Sequence, residues 1–167
     1  MVKRFTKAET RMSIAQAETV SDIEQARSLF KEYEMSLGIS LCFQSFDREL
    51  ANLPGDYAPP FGRLLLAHHD GQLAGCIALR KLTGDVCEMK RLYLRQNFRG
   101  KGLGRTMLNA LLNEAKRIGY SKIRLDTLPG RMDEAISLYR SIGFKEISAY
   151  YNNPADALYM ELDLTQP

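Results

Sequence analysis

Between Val86 and Leu128 the apolar residues change period twice, and this stretch restricts the fold more than any other. Val86 to Leu94 reads as a long strand. From Leu103 the spacing becomes three and four: Leu103, Met107, Leu108, Leu111, Leu112 and Ala115 share one helical face, and Lys116, Arg117 and Gly119 supply a cationic last turn and a left-handed stop. Lys122 to Leu128 is a strand again. Strand, helix, strand is a βαβ crossover, so two strands run parallel in one sheet. Upstream, Asp70-Gly71 between Arg63–His68 and Leu73–Leu79 is a hairpin signal, and Thr83-Gly84-Asp85 leads into Val86. Three antiparallel strands therefore precede the crossover in a meander.

The flanking segments complete the order. Ser13 to Glu18 reads as a short strand. Ser21-Asp22-Ile23-Glu24 reads as a capping box opening a helix whose apolar face is Ile23, Ala26, Phe30, Tyr33 and Leu37, ended by Gly38. Phe43 to Leu50 predicts a second short helix. After the crossover, Asp133 to Ser141 predicts a helix ending at Gly143, and Phe144–Ile147 and Leu158–Leu164 predict two more strands. The class expected is α/β, in the sense of a mixed α+β sheet.

At 167 residues, 45% hydrophobic and 26% charged, the chain suits one folded domain. Apolar runs such as Leu64 to Ala67 fall far short of the ~20 residues of a membrane helix, so no membrane span is expected. The net charge of +3 is local: residues 1 to 11 hold Lys3, Arg4, Lys7 and Arg11 against Glu9, and the rest is balanced. Those residues read as a disordered basic tail, and the balanced body argues against nucleic acid as a partner. Cys42, Cys76 and Cys87 are odd in number and lack metal-site spacing, which reads as a reducing cytoplasm. No apolar h-region follows the basic start, so a secretory signal is not expected. His68 and His69 are adjacent, point to opposite faces of a strand and make no metal pair.

The chemistry-bearing segment is Arg99-Gly100-Lys101-Gly102-Leu103-Gly104-Arg105, lying between a strand and a long helix. A glycine in a helix costs about 1 kcal/mol relative to alanine, so Gly102 and Gly104 at a helix start imply that something approaches the main chain closely. Unpaired N–H groups there favour an anion, and Arg99, Lys101 and Arg105 add positive charge. The segment reads as a pyrophosphate cradle. It is not a nucleoside-triphosphate loop, because Gly102 is followed by Leu103 rather than by Lys and Ser/Thr. A dinucleotide fingerprint starts at Gly100 and Gly102 but meets Arg105 at its third glycine. Asp126, near a strand end, stands where a ribose-binding acid would fall, so a dinucleotide-binding domain is one alternative.

Arg99 to Gly104 resembles the R/Q-x-x-G-x-G/A acetyl-CoA motif of the GNAT N-acetyltransferase superfamily. Glu88-Met89-Lys90-Arg91-Leu92-Tyr93-Leu94 resembles that family's fourth strand, and Ala135 to Phe144 its later A-x-x-L-Y-x-x-x-G-F segment. The resemblance covers residues 86 to 147 closely and residues 13 to 85 in element order. It implies one acetyltransferase domain over residues 12 to 167. The implied fold is a twisted, mostly antiparallel sheet of six to seven strands with helices on both faces. Its parallel fourth and fifth strands splay apart to admit a pantetheine arm. The implied activity is transfer of an acetyl group from acetyl-CoA to a primary amine of a small molecule or protein, by direct attack and without a metal. A non-catalytic coenzyme A sensor is a second alternative, and a homodimer is left open. Where many members carry Asn, this chain has Met132, so backbone groups would hold the pantetheine there.

The resemblance also places roles. Glu88 matches the position of a glutamate base, which strand alternation alone leaves on either face. Tyr139 matches a tyrosine that protonates the departing thiolate, a task suited to a hydroxyl of pKa ~10; its other reading is a core tyrosine. Backbone N–H groups around Leu92, Tyr93 and Leu94 would stabilise the oxyanion. Cofactor binding is expected from Leu92 to Leu94 and Arg99 to Arg105. Tyr150 to Asn153 and Phe43 to Phe46 are expected to border the acceptor groove. Arg80, Arg91 and Arg95 are candidates for an anionic acceptor.

Overall fold

Lys122–Thr127 alternates between facing water and facing the core, whereas Val86–Arg91 is buried on both faces. The sheet interior therefore lies at the strand that precedes the glycine segment. The structure is a computed structural model that describes residues 11–41 and 45–167. The expected tail, apart from Arg11, and the expected helix positions Phe43 and Gln44 lie outside the described residues.

The elements in chain order are β1 (Met12–Gln16), α1 (Val20–Leu37), α2 (Phe46–Ala51), β2 (Arg63–His69), β3 (Gln72–Thr83), β4 (Val86–Leu94), α3 (Leu103–Ile118), β5 (Lys122–Thr127), α4 (Asp133–Ile142), β6 (Lys145–Ile147) and β7 (Leu158–Asp163). The seven strands form one sheet in the order β1-β2-β3-β4-β5-β7-β6. Only β4 and β5 pair in parallel; the other pairings are antiparallel. The expected mixed sheet, with its meander and crossover, is what forms. The doubly wound parallel sheet of a dinucleotide-binding domain is absent, which removes that alternative. Among the described residues no helix is long and apolar enough to cross a membrane.

Each sheet face carries its own apolar cluster. On one, Met107, Leu108 and Leu111 of α3 pack on Ile77, Leu79, Ile123 and Leu125, joined by Tyr139 and Phe144. On the other, Leu29 and Phe30 of α1 meet Phe46, Tyr57, Leu64, Leu66 and Ala78. Each fully buried leucine or phenylalanine stabilises this arrangement by about 1.5–3 kcal/mol.

Two sequence expectations need correction. The capping box of α1 is Thr19 with Asp22, not one beginning at Ser21: the Thr19 hydroxyl accepts from the Asp22 N–H, and the Asp22 carboxylate accepts from the Thr19 N–H, each at 3.0 Å. Hydroxyl and carboxylate stand three positions apart in this spacing too, so the signal was present two residues earlier. Second, Gly102 is not inside α3. It is the N-cap, with φ of +78°, and Gly100 has φ of +75°; both are demanded by left-handed backbone rather than tolerated within a helix.

Gly75 of β3 faces the C-terminal half of β4. A side-chain carbon there would be driven into the Tyr93 carbonyl oxygen. Gly75→Ala is expected to destabilise the fold by about 1–3 kcal/mol through overpacking, read as a lowered urea midpoint with an unchanged slope.

Candidate active site

Strand β4 is bent. Between Lys90 and Tyr93 it carries one residue more than the facing stretch of β3, since Ala78 pairs with Lys90 and Cys76 with Tyr93. This is a β-bulge, and Arg91 takes it up with φ of +60°. Pairing with β5 stops at the same place: Val86, Cys87 and Glu88 lie against Lys122, Ile123 and Arg124, and beyond Glu88 the strands part. The bend and the parting open a gap between Met89–Leu92 and Asp126–Leu128.

A groove of about 690 Å³ leads to this gap along the start of α3. Its floor includes Leu92, Tyr93 and Leu94, one end Arg99, Gly100, Gly102, Leu103, Gly104 and Arg105, and its far wall Arg131, Met132 and Leu138. No side chain caps α3, so its first amides remain unpaired by the usual device, in contrast to α1. A Cβ at Gly100 or Gly102 would meet open space, and one at Gly104 only Leu138 at 3.7 Å. Arg99 folds back so that Nε donates to the Leu94 carbonyl at 2.8 Å, and Arg105 donates to the Ser141 hydroxyl at 2.7 Å. Lys101 is exposed and does not line the groove. The groove narrows into a cavity of about 30 Å³ lined by Met89, Lys90, Arg91, Asp126, Tyr139 and Asn153; the two share Tyr33, Leu37, Leu92 and Met132.

The gap ends in charged groups. Lys90 Nζ lies 3.6 Å from Asp126 and 4.0 Å from Glu88. Glu88, 1% exposed, accepts from Arg80 Nε at 2.9 Å and Nη2 at 2.8 Å on one oxygen, and from the Tyr150 hydroxyl at 2.6 Å on the other. The Asp126 carboxylate accepts from the Tyr151 hydroxyl and, at 3.0 Å, from Asn153 Nδ2. Burial opposes ionisation of Asp126, but the Lys90 ammonium and these hydrogen bonds outweigh it and hold its carboxyl below the usual value. Burial pushes the Lys90 ammonium down, against the pull of Asp126 and Glu88. The Tyr139 hydroxyl is pushed up by burial, then by Tyr33 and Asp126, so it stays protonated at neutral pH.

Tyr139 lines the gap from the α3 side, whereas Glu88, on the face of α1 and α2, does not line it and lies 4.0 Å from Lys90, which does. The three candidate arginines separate. Arg91 is buried, bidentate to Glu49 at 2.9 and 3.1 Å; Arg95 is bidentate to Glu32 at 3.0 and 2.7 Å; Arg80 is part-buried and pairs with Glu88. Lys90 and Asp126 were not singled out together, because they come from different strands and meet only where the pairing fails. Tyr150, Tyr151 and Asn153 do reach the gap from the segment before β7; Phe43 lies outside the described residues.

The model of the acetyltransferase (GNAT) family matches residues 23–144. An uncharacterized N-acetyltransferase of Schizosaccharomyces pombe is 37% identical over 158 residues, covering 93% of this chain and 96% of that protein. Among solved structures, a GNAT-family acetyltransferase from Staphylococcus aureus has a TM-score of 0.78 at 19% identity, covering 92% of this chain and 99% of that one. The PaiA N-acetyltransferase of Thermoplasma acidophilum in complex with coenzyme A has a TM-score of 0.71 at 21% identity over 92% and 99%. The chain belongs to the GNAT family and is an acyltransferase, which displaces the reading of a non-catalytic sensor.

A depressed carboxyl pKa means that the folded state binds the Asp126 proton more weakly than the unfolded chain does. The stability this contributes is complete above the unfolded value of ~3.9 and is lost as pH falls through the folded one. Lys90, Tyr151, Asn153 and Arg91 face the same carboxylate and set the size of the effect. Asp126→Asn is expected to flatten the loss of stability between pH 5 and pH 2, measured as urea midpoints at a series of pH values.

Proposed function

We propose that the chain is an acetyl-CoA-dependent N-acetyltransferase, acetylating a primary amine by direct attack in a ternary complex. The observation that carries this reading is the continuity of the uncapped, glycine-lined start of α3 with a groove that narrows into the parted strands and ends at Lys90, Asp126 and Tyr139, with Glu88 4.0 Å behind Lys90. The amides of Leu103, Gly104 and Arg105 would receive the diphosphate, assisted by Arg99 and Arg105. Leu92, Tyr93 and Leu94 would flank the pantetheine, with Met132 supplying an apolar wall. An amide freed from the β3 ladder by the bulge would stabilise the charge that develops on the thioester oxygen.

Acetyl transfer needs an amine with a free lone pair and a proton for the departing thiolate. Glu88 takes the amine's proton through the Tyr150 hydroxyl, which already donates to it at 2.6 Å. Arg80 holds the opposite carboxylate oxygen and fixes the geometry. Tyr139, whose hydroxyl makes no hydrogen bond among the described residues, donates to the thiolate. The acceptor approaches from the face of α1, α2 and the Tyr150–Asn153 segment.

Thiol release from acetyl-CoA, followed with a panel of amines, is the primary test. Tyr139→Phe is expected to lower kcat at least ~10-fold and Glu88→Gln about 100-fold, with the acetyl-CoA Kd unchanged. Gly104→Ala separates binding from folding. The substitution favours a helix by about 1 kcal/mol and the protein leaves room for it, so Tm is expected to hold or rise while the acetyl-CoA Kd rises at least ~10-fold. Unaltered binding in Gly104→Ala, or no binding in the parent, removes the cradle.

A further inference from the structure

A second concavity of about 260 Å³ lies on the acceptor side, lined by Ser45, Arg48, Asn52, Asp56, Tyr57 and Arg80, with Glu49 in its wall. It adjoins the acyl site through two ion pairs. Arg91 lines the narrow cavity and Glu49 this one, so their bidentate pair is the partition between them. Arg80 lines this concavity and reaches back to Glu88 beside Lys90.

Its charged groups are unequally engaged. Both oxygens of Glu49 are taken, by Arg91 and by the Tyr57 hydroxyl at 3.0 Å, so Glu49 offers little to a ligand. Arg80 spends two of its five N–H donors on Glu88, and its side chain keeps 34% of its surface exposed. Arg48 is exposed, and among the described residues its guanidinium makes no ion pair or hydrogen bond. In formal charge the lining is balanced, Arg48 and Arg80 against Glu49 and Asp56, but the unspent hydrogen-bond donors lie on the two guanidinium forks. Ser45 and Asn52 add neutral hydrogen-bonding groups, and Pro54 and Tyr57 an apolar wall for methylenes.

Resting on the acetyltransferase reading, we propose that this concavity is the acceptor subsite and that it takes a small primary amine bearing a carboxylate, the acid held by Arg48 and Arg80. Planar guanidinium forks match a carboxylate, while a polyamine or a lysine-rich peptide would leave their unspent donors without a partner. The volume lies at the small end of ligand pockets, which begin near ~300 Å³, and suits a free amino acid rather than a polypeptide. Arg80 is opposite Glu88, three residues before the bulge, a run of about 10 Å along the strand. An acid on the guanidinium tips thus leaves the amine within reach of Tyr150 and the thioester when the chain between them is long enough to span that run, as in an ω-amino acid.

The test compares kcat/KM, with saturating acetyl-CoA, for the free L-amino acids and the ω-amino acids from β-alanine to 6-aminohexanoate. Each ω-amino acid is set against the alkylamine of equal length, with spermidine and O-phosphoethanolamine as further arms. At least one carboxylate-bearing amine is expected to exceed its alkylamine partner at least ~10-fold. Arg48→Glu is expected to raise its KM at least ~10-fold while the KM for acetyl-CoA stays unchanged. Alkylamines or spermidine as the better acceptors, or an Arg48→Glu variant with unchanged acceptor KM, would overturn the subsite while leaving the acetyltransferase reading intact. Preference for O-phosphoethanolamine overturns the carboxylate assignment. Calorimetric acetyl-CoA binding with no turnover of any amine overturns the subsite as well, whereas failure to bind acetyl-CoA overturns both readings.

Discussion

The site depends on one bent position in one strand. Arg91 holds a left-handed backbone that glycine would adopt freely and that costs a residue with a long side chain about 1–3 kcal/mol. Glycine could make the bend but could not hold it. The Arg91 guanidinium lies 5.0 Å from the centre of the Phe46 ring and 5.9 Å from that of Tyr33, and grips Glu49 of α2 with two nitrogens. Removing one member of such a buried pair costs about 3–5 kcal/mol, comparable to or more than the strain. The pair that fixes the bend also ties α2 to the sheet, so the opening between β4 and β5 and the wall of the acceptor side are set by the same contact.

The polar groups around the opening are balanced by sign. Arg80, Lys90 and Arg124 face Glu88, Asp126 and Glu161 across successive strands and Arg91 faces Glu49 of α2, with tyrosine hydroxyls filling remaining lone pairs on Glu88, Asp126 and Glu49. Burial of charge is tolerated when each charge has a partner and its hydrogen-bonding capacity is met. A site balanced in this way has no charge to spare for an acceptor carrying one of its own. The compensation has to come from groups at the margin whose capacity is unspent, and Arg48 and the outer edge of Arg80 are such groups.

Order and class of the elements were legible because each rests on local pattern. The switch of apolar period at Leu103, the Asp70-Gly71 turn with φ of +50° and +79°, and the stop at Gly119 need no tertiary knowledge. The resemblance named Glu88 and Tyr139, but not their surroundings. Burial of Glu88 between Arg80 and Tyr150 depends on β3 register and on the path of the segment before β7, 62 residues away in the chain from Glu88. The Lys90–Asp126 pair exists because two strands stop pairing, and an unmade ladder leaves no mark in composition or spacing. The arginines show the same limit: Arg80, Arg91 and Arg95 look alike in sequence, and only their partners distinguish a strut from a group with donors left over.

The three glycines before and within α3 show how a sequence signal divides once φ values are known. Cost in a helix made Gly102 and Gly104 stand out. Gly100 and Gly102 have left-handed backbone, so any side chain there is strained whether or not a ligand is present, and their occurrence says more about the turn than about its occupant. Gly104 has no such excuse: it is a helical residue, and the nearest atom to an added carbon is at ordinary contact distance. The protein itself would be more stable with alanine there. What remains to account for the missing side chain is the face it presents to the groove, beside amides that no side chain of the chain caps, which is the place an anionic group pressed against the helix start would fill.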